Sequence, residues 1–168
     1  FSDEIDPLLT DGILTFMDIA FPMQESRRIY MKMLGNTDRA RQHLLFVTGH
    51  CGHSYKGLSF KSFPDEGNFL TIEPYDGKNA EPLLKDVSVT DVVDHEVRVG
   101  LMCGAASENG DPYANNALFG VYLYDAPGEV QDSVFGQVTS GIEILHDIAK
   151  SEQTEKIKVV DCGVVVSW

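Results

Sequence analysis

Val134-Phe135-Gly136-Gln137-Val138-Thr139-Ser140-Gly141 carries a strand directly into a helix. From Ser133 to Val138 the residues are rich in β-branched and aromatic types, which suit a pleated, half-buried surface. Ser140-Gly141-Ile142-Glu143 then has the spacing of a capping box, in which Ser140 accepts from a first-turn N–H and Glu143 reaches back. Ile142, Leu145 and Ala149 follow as one apolar stripe. Strand-like alternation recurs on both sides. In Arg28-Ile29-Tyr30-Met31-Lys32-Met33, Ile29, Met31 and Met33 share one face. Lys156 to Val159 and Glu96 to Val99 alternate in the same way, and Ile13 to Ala20 and Leu118 to Tyr124 are further strands. A second helix is expected from Asp38 to Val47, capped by Thr37, with Ala40, Leu44 and Val47 on one face and Gly49 ending it. Many strands and two widely separated helices indicate a closed barrel or a sandwich with helical caps.

The chain has 168 residues, enough for one domain with one core. Residues 1–12 read as an acidic, surface-lying N-terminal extension, and residues 13–168 as the domain. Hydrophobic residues make up 43% and charged residues 23%, an ordinary globular balance. The net charge of -13 opposes binding to nucleic acid and to anionic membranes. No apolar run reaches membrane-spanning length, and no signal peptide is visible. Three cysteines (Cys51, Cys103 and Cys162) fit a reducing compartment better than a disulfide framework. An intracellular, cytoplasmic location is therefore expected.

Several strings in order resemble the cyclophilin family. Phe16-Met17-Asp18-Ile19 and Arg28 to Met33 are similar to its first two strands, and Ala40 to Gly57 to its first helix and exit. Thr48-Gly49, Tyr55-Lys56-Gly57-Leu58-Ser59-Phe60, Val134 to Gly141, and Val159-Val160-Asp161-Cys162-Gly163 resemble further family strings. The resemblance implies a mostly β fold: a closed eight-stranded antiparallel barrel capped by two α-helices. It also implies a peptidyl-prolyl cis-trans isomerase acting in protein folding, with proline-containing peptides or proteins as partners and no cofactor.

Rotation about an X–Pro amide faces a barrier of roughly 18–20 kcal/mol and is slow unaided. No bond breaks. A catalyst grips the flanking carbonyl, seats the ring in an apolar pocket and aims a donor at the nitrogen lone pair that twisting exposes. Such a donor acts only in the transition state. The resemblance, anchored on Phe60, places Ser62 at the position of the family's catalytic arginine. Lys61, one residue away, would point to the other side of a strand unless the register slips. By the same resemblance the substrate-binding positions are Phe69, Leu70, Ile72, Ala105, Ala106, Phe119, Pro127 and Asp132. Ile72 and Ala106 replace polar grips, Pro127 falls near the tryptophan important for cyclosporin, and Asp132 replaces a pocket histidine. Phe69 and Phe119 have a second reading as ordinary core aromatics. These departures imply weak or absent turnover and weak or no cyclosporin binding. The alternative is a non-catalytic proline-peptide- or protein-binding scaffold, gripping through the altered loops Pro64–Asn68 or Glu108–Asn116.

Other chemistry finds less support. His50-Cys51-Gly52-His53 lacks the second ligand pair of a zinc site, so no metal is expected. His43 reads as a surface or satisfied core residue. His95 and His146 have no nucleophile partner, and Asp125, Glu129 and Asp132 read as a solvated acidic patch.

Overall fold

The computed structural model describes residues 9–50, 54–63, 69–73, 95–104, 119–131 and 133–166, with 69 and 73 described by backbone alone. Chain order is β1 (Leu14–Ala20), β2 (Arg27–Met33), α1 (Asp38–Thr48), β3 (Ser59–Phe63), β4 (Phe69–Glu73), β5 (His95–Val97) and β6 (Leu101–Gly104). There follow β7 (Phe119–Val121), β8 (Ala126–Gln131), β9 (Val134–Ser140), α2 (Ile142–Lys150) and β10 (Lys158–Val164).

Eight strands close a barrel in the order β1-β10-β3-β4-β7-β6-β9-β2, while β5 and β8 form a separate two-stranded ribbon. Every pairing is antiparallel. This is the mostly β barrel with two helices that the resemblance implies. Closure leaves no free strand edge in the barrel. One core fills its interior. Met17, Ile19, Ile29, Met31 and Met33 point inward from β1 and β2 at period two, all at most 2% exposed. Outside the barrel, Leu101, Cys103 and Val134 form a smaller cluster with Leu34 and Tyr122.

The helices seal the interior. Thr37 caps α1 as expected: its hydroxyl accepts from the Ala40 N–H at 3.1 Å. Gly49 ends it in a left-handed conformation, φ 67°. The cap of α2 differs from expectation. Ser140 is the last residue of β9, paired with Tyr30, and makes no side-chain cap hydrogen bond. Gly141 takes the cap position at φ 93°. The strand claims Ser140's backbone first, so the capping-box geometry never forms. Ile144, Leu145 and Ile148 of α2 are buried in the same core. The chain leading into β1 is partly seated: Thr10 is fully buried, and its hydroxyl donates to the Gly35 carbonyl at 2.5 Å.

Candidate functional site

β3 and β4 form a hairpin ladder in which Phe60 faces Ile72 and Ser62 faces Leu70. The next ladder pairs Leu70 with Val121 and Thr71 with Gly120. Residues directly opposite share a face, as do residues two apart along a strand. Phe60, Ser62, Leu70, Ile72, Phe119 and Val121 therefore lie on one face of β3–β4–β7, and it is the inner face. Leu70 and Ile72 are 1% exposed and Phe119 is 2% exposed, all within the main core. The Phe119 ring packs edge-on against His43, Tyr55 and Phe135 at 5.3–5.9 Å between centroids.

The expected site residues thus separate. Ser62, Leu70, Ile72 and Phe119 come together, but inside the barrel. For Phe119 this is the core role left open beside the pocket role. Ser62 is half-buried and its hydroxyl is enclosed without a hydrogen-bond partner. Pro127 is exposed on β8, in the ribbon rather than the barrel. Phe69 pairs with Phe63 through the backbone. Ala105, Ala106, Asp132 and the loops Pro64–Asn68 and Glu108–Asn116 lie outside the described residues, as does Cys51-Gly52-His53. Among the described residues no group of three His, Cys, Asp or Glu could hold a metal ion.

The opposite face of the same strands looks outward. Lys61 is exposed, paired with Thr71, which in turn pairs with Gly120. The Lys61 ammonium stands 5.3 Å from the centroid of the Phe63 ring, inside the range of cation–π attraction. Arg98 donates to the Gln137 side chain on β9 at 3.1 Å. Two surface hollows, beside Asn36–Thr37 and beside Ser140–Glu143, touch none of the expected site residues.

A second cation approaches this sheet from the inside. A Cβ on Gly104, at the end of β6, would overlap the guanidinium of Arg39 from α1. Only glycine lets the first turn of α1 lay that side chain against β6. The sequence holds a signal for Lys61, since the apolar Phe60, Leu70 and Ile72 alternate with Lys61 and Thr71. It holds none for the Arg39 contact, which joins residues far apart in the chain.

The crystal structure of the Mimivirus cyclophilin superimposes on this chain with a TM-score of 0.64, covering 94% of this chain and 92% of that one. The fold is the cyclophilin fold. Identity over the match is 18%, so the shared property is the backbone architecture. No family model matches the chain, and no curated protein matches it. On the cyclophilin scaffold, then, this chain carries a barrel wall whose inner face is apolar at Leu70, Ile72 and Phe119. A lysine stands on its outer face. No helix of the described residues is long and apolar enough to cross a membrane.

Proposed function

We propose that the chain is a cyclophilin-type domain that binds a proline-containing peptide on the outer face of β3–β4–β7, with Lys61 as its cation and only weak isomerase turnover. The observation that carries this reading is the alternation of β3. Phe60 and Ser62 turn inward, whereas Lys61 is exposed with its ammonium 5.3 Å from the Phe63 ring. A cation over an aromatic ring on an outer barrel wall offers what a twisted X–Pro amide needs: a donor, and an apolar surface for the ring. Lysine supplies a single point charge in place of arginine's planar fork, so the transition state is held less firmly. Weak turnover follows from that difference.

A second reading, a binding scaffold without turnover, is favoured by the inward placement of Ser62, Leu70 and Ile72. That placement leaves those positions unable to grip a carbonyl from outside. One experiment separates the two: a protease-coupled isomerisation assay on a short X–Pro peptide, run beside NMR titration with the same peptide. Measurable turnover that falls at least about tenfold in Lys61→Gln supports the enzyme reading. Binding without turnover, weakened by the same substitution, supports the scaffold. Turnover and binding both indifferent to Lys61→Gln would overturn the assignment of this face. Cyclosporin is expected to bind weakly or not at all, and an affinity like that of an ordinary cyclophilin would contradict this.

A further inference from the structure

α1 carries a histidine into a part of the core where the described residues place no counter-charge. His43 is 1% exposed. Its Nε2 is 3.0 Å from the Thr15 hydroxyl of β1, and its Nδ1 has no partner. The rings of Tyr55, Phe119 and Phe135 surround it at 5.4–5.6 Å between centroids. α1 packs on β1, β9 and β10, and the described groups that face His43 are uncharged. From β1 comes Thr15 and from β9 Phe135, while the Cys162 thiol of β10 is buried in the same core. The turn before β3 adds the Tyr55 phenol. The carboxylates of β1 and β10 are engaged elsewhere, Asp18 with Arg28 at 2.7 Å and Asp161 with Lys56 at 3.1 Å. On α1 itself, the neighbouring Gln42 is neutral, and Arg39 one turn back is a like charge.

We propose that His43 is an acid-sensitive latch: while neutral it fastens α1 to β1, and protonation releases α1 from the barrel. A neutral imidazole meets one hydrogen-bond partner and three aromatic rings. An imidazolium in the same place has a second N–H with no acceptor and, among the described residues, a charge with no counter-ion, which burial makes costly. The closed form therefore holds the neutral state, with the imidazole pushed down from 6.5 to about 3 by burial. The open form protonates near the ordinary value. The sign follows directly. As pH falls below about 6.5 the open form binds a proton that the closed form refuses, so opening becomes easier by nearly tenfold per pH unit, down to the closed-form value. Phe119 and Phe135, which the latch keeps covered, are core aromatics, so release uncovers apolar surface. The device needs no peptide and stands independently of the proposed binding face.

The test is amide hydrogen exchange on the whole chain at pH 7.5 and 4.5. The opening constant of α1 amides from Ala40 to Val47 is expected to rise roughly a hundredfold. In His43→Phe, which keeps a ring in the aromatic cluster, the α1 change is expected to vanish. Equal pH response in wild type and variant, or unchanged α1 protection in wild type, would overturn the latch. If His43→Phe fails to fold, the wild-type imidazole is followed by NMR instead. Its remaining neutral in the closed form through pH 5 supports the latch, and its titrating near 6.5 within the closed form refutes it.

Discussion

Removing the hydroxyl of Ser62 is expected to stabilise the protein. Ser62 sits on the inner face of β3, opposite Leu70, and its Oγ is enclosed with no hydrogen-bond partner. A buried hydroxyl without a partner loses its water and gains nothing in return, at a cost of about 1–3 kcal/mol. Ser62 is only half-buried as a residue, and alanine is a poorer strand former than most, so the lower end applies. Ser62→Ala should therefore gain about 1 kcal/mol, raising Tm by roughly 2–4 °C in a chain of this size. Urea denaturation at pH 7.5 reads this as a higher midpoint at unchanged slope. The companion substitution has the opposite sign. Ser62→Arg drives a guanidinium against Leu70 and Phe60, which are 1% and 4% exposed, with no carboxylate opposite. An unpaired charge in such a place costs about 3 kcal/mol or more, less whatever the long stem recovers by reaching solvent. It is also expected to add no isomerase activity. Two results would refute the reasoning: a loss of stability beyond about 0.5 kcal/mol in Ser62→Ala, or a well-folded Ser62→Arg that gains turnover. Either would mean that Ser62 faces outward, toward the peptide.

Two further substitutions test the helix ends. Thr37→Ala removes the acceptor for the Ala40 N–H and should cost about 1 kcal/mol, seen as a lower urea midpoint; an unchanged midpoint would show that the cap contributes nothing. Gly141→Ala forces a side chain into φ 93°, with its Cβ 2.8 Å from Ile29 Cγ2 and 3.0 Å from the Arg28 carbonyl. Strain and overpacking together should cost about 2 kcal/mol or more, a Tm drop of roughly 4–8 °C by thermal denaturation. Wild-type thermal stability would mean that the α2 entry is pliable.

Local chemistry was legible in the sequence wherever the chain settles it locally. Period-two alternation marked β2, and β-branched and aromatic enrichment marked β1, each to within a residue. Thr37 and Gly49 marked both ends of α1, because a cap involves residues only three or four apart. Several short strings in order were enough to indicate the barrel. The separate β5–β8 ribbon was half-seen: Glu96–Val99 alternates, but Ala126-Pro127-Gly128 does not read as a strand. Its pairing with β5 is what extends it.

Which way each strand faces was decided by the tertiary structure alone. Anchoring on Phe60 placed Ser62, Leu70 and Ile72 at peptide-gripping positions. Alternation says only that these residues share a face, and closing the barrel decides which face is inside. Phe119 turned inward for the same reason, onto a ring cluster assembled from α1, β9 and the turn at Tyr55. Ser140 could cap a helix or end a strand, and pairing with Tyr30 settled it. The setting of His43 depends on the same closure. Residues on one helix, three strands and a turn surround it, and no stretch of sequence reveals that none of them brings a carboxylate. Sequence thus determined many of the elements and their order, because those depend on neighbours along the chain. Inside, outside and the charge environment of the core depend on neighbours across space.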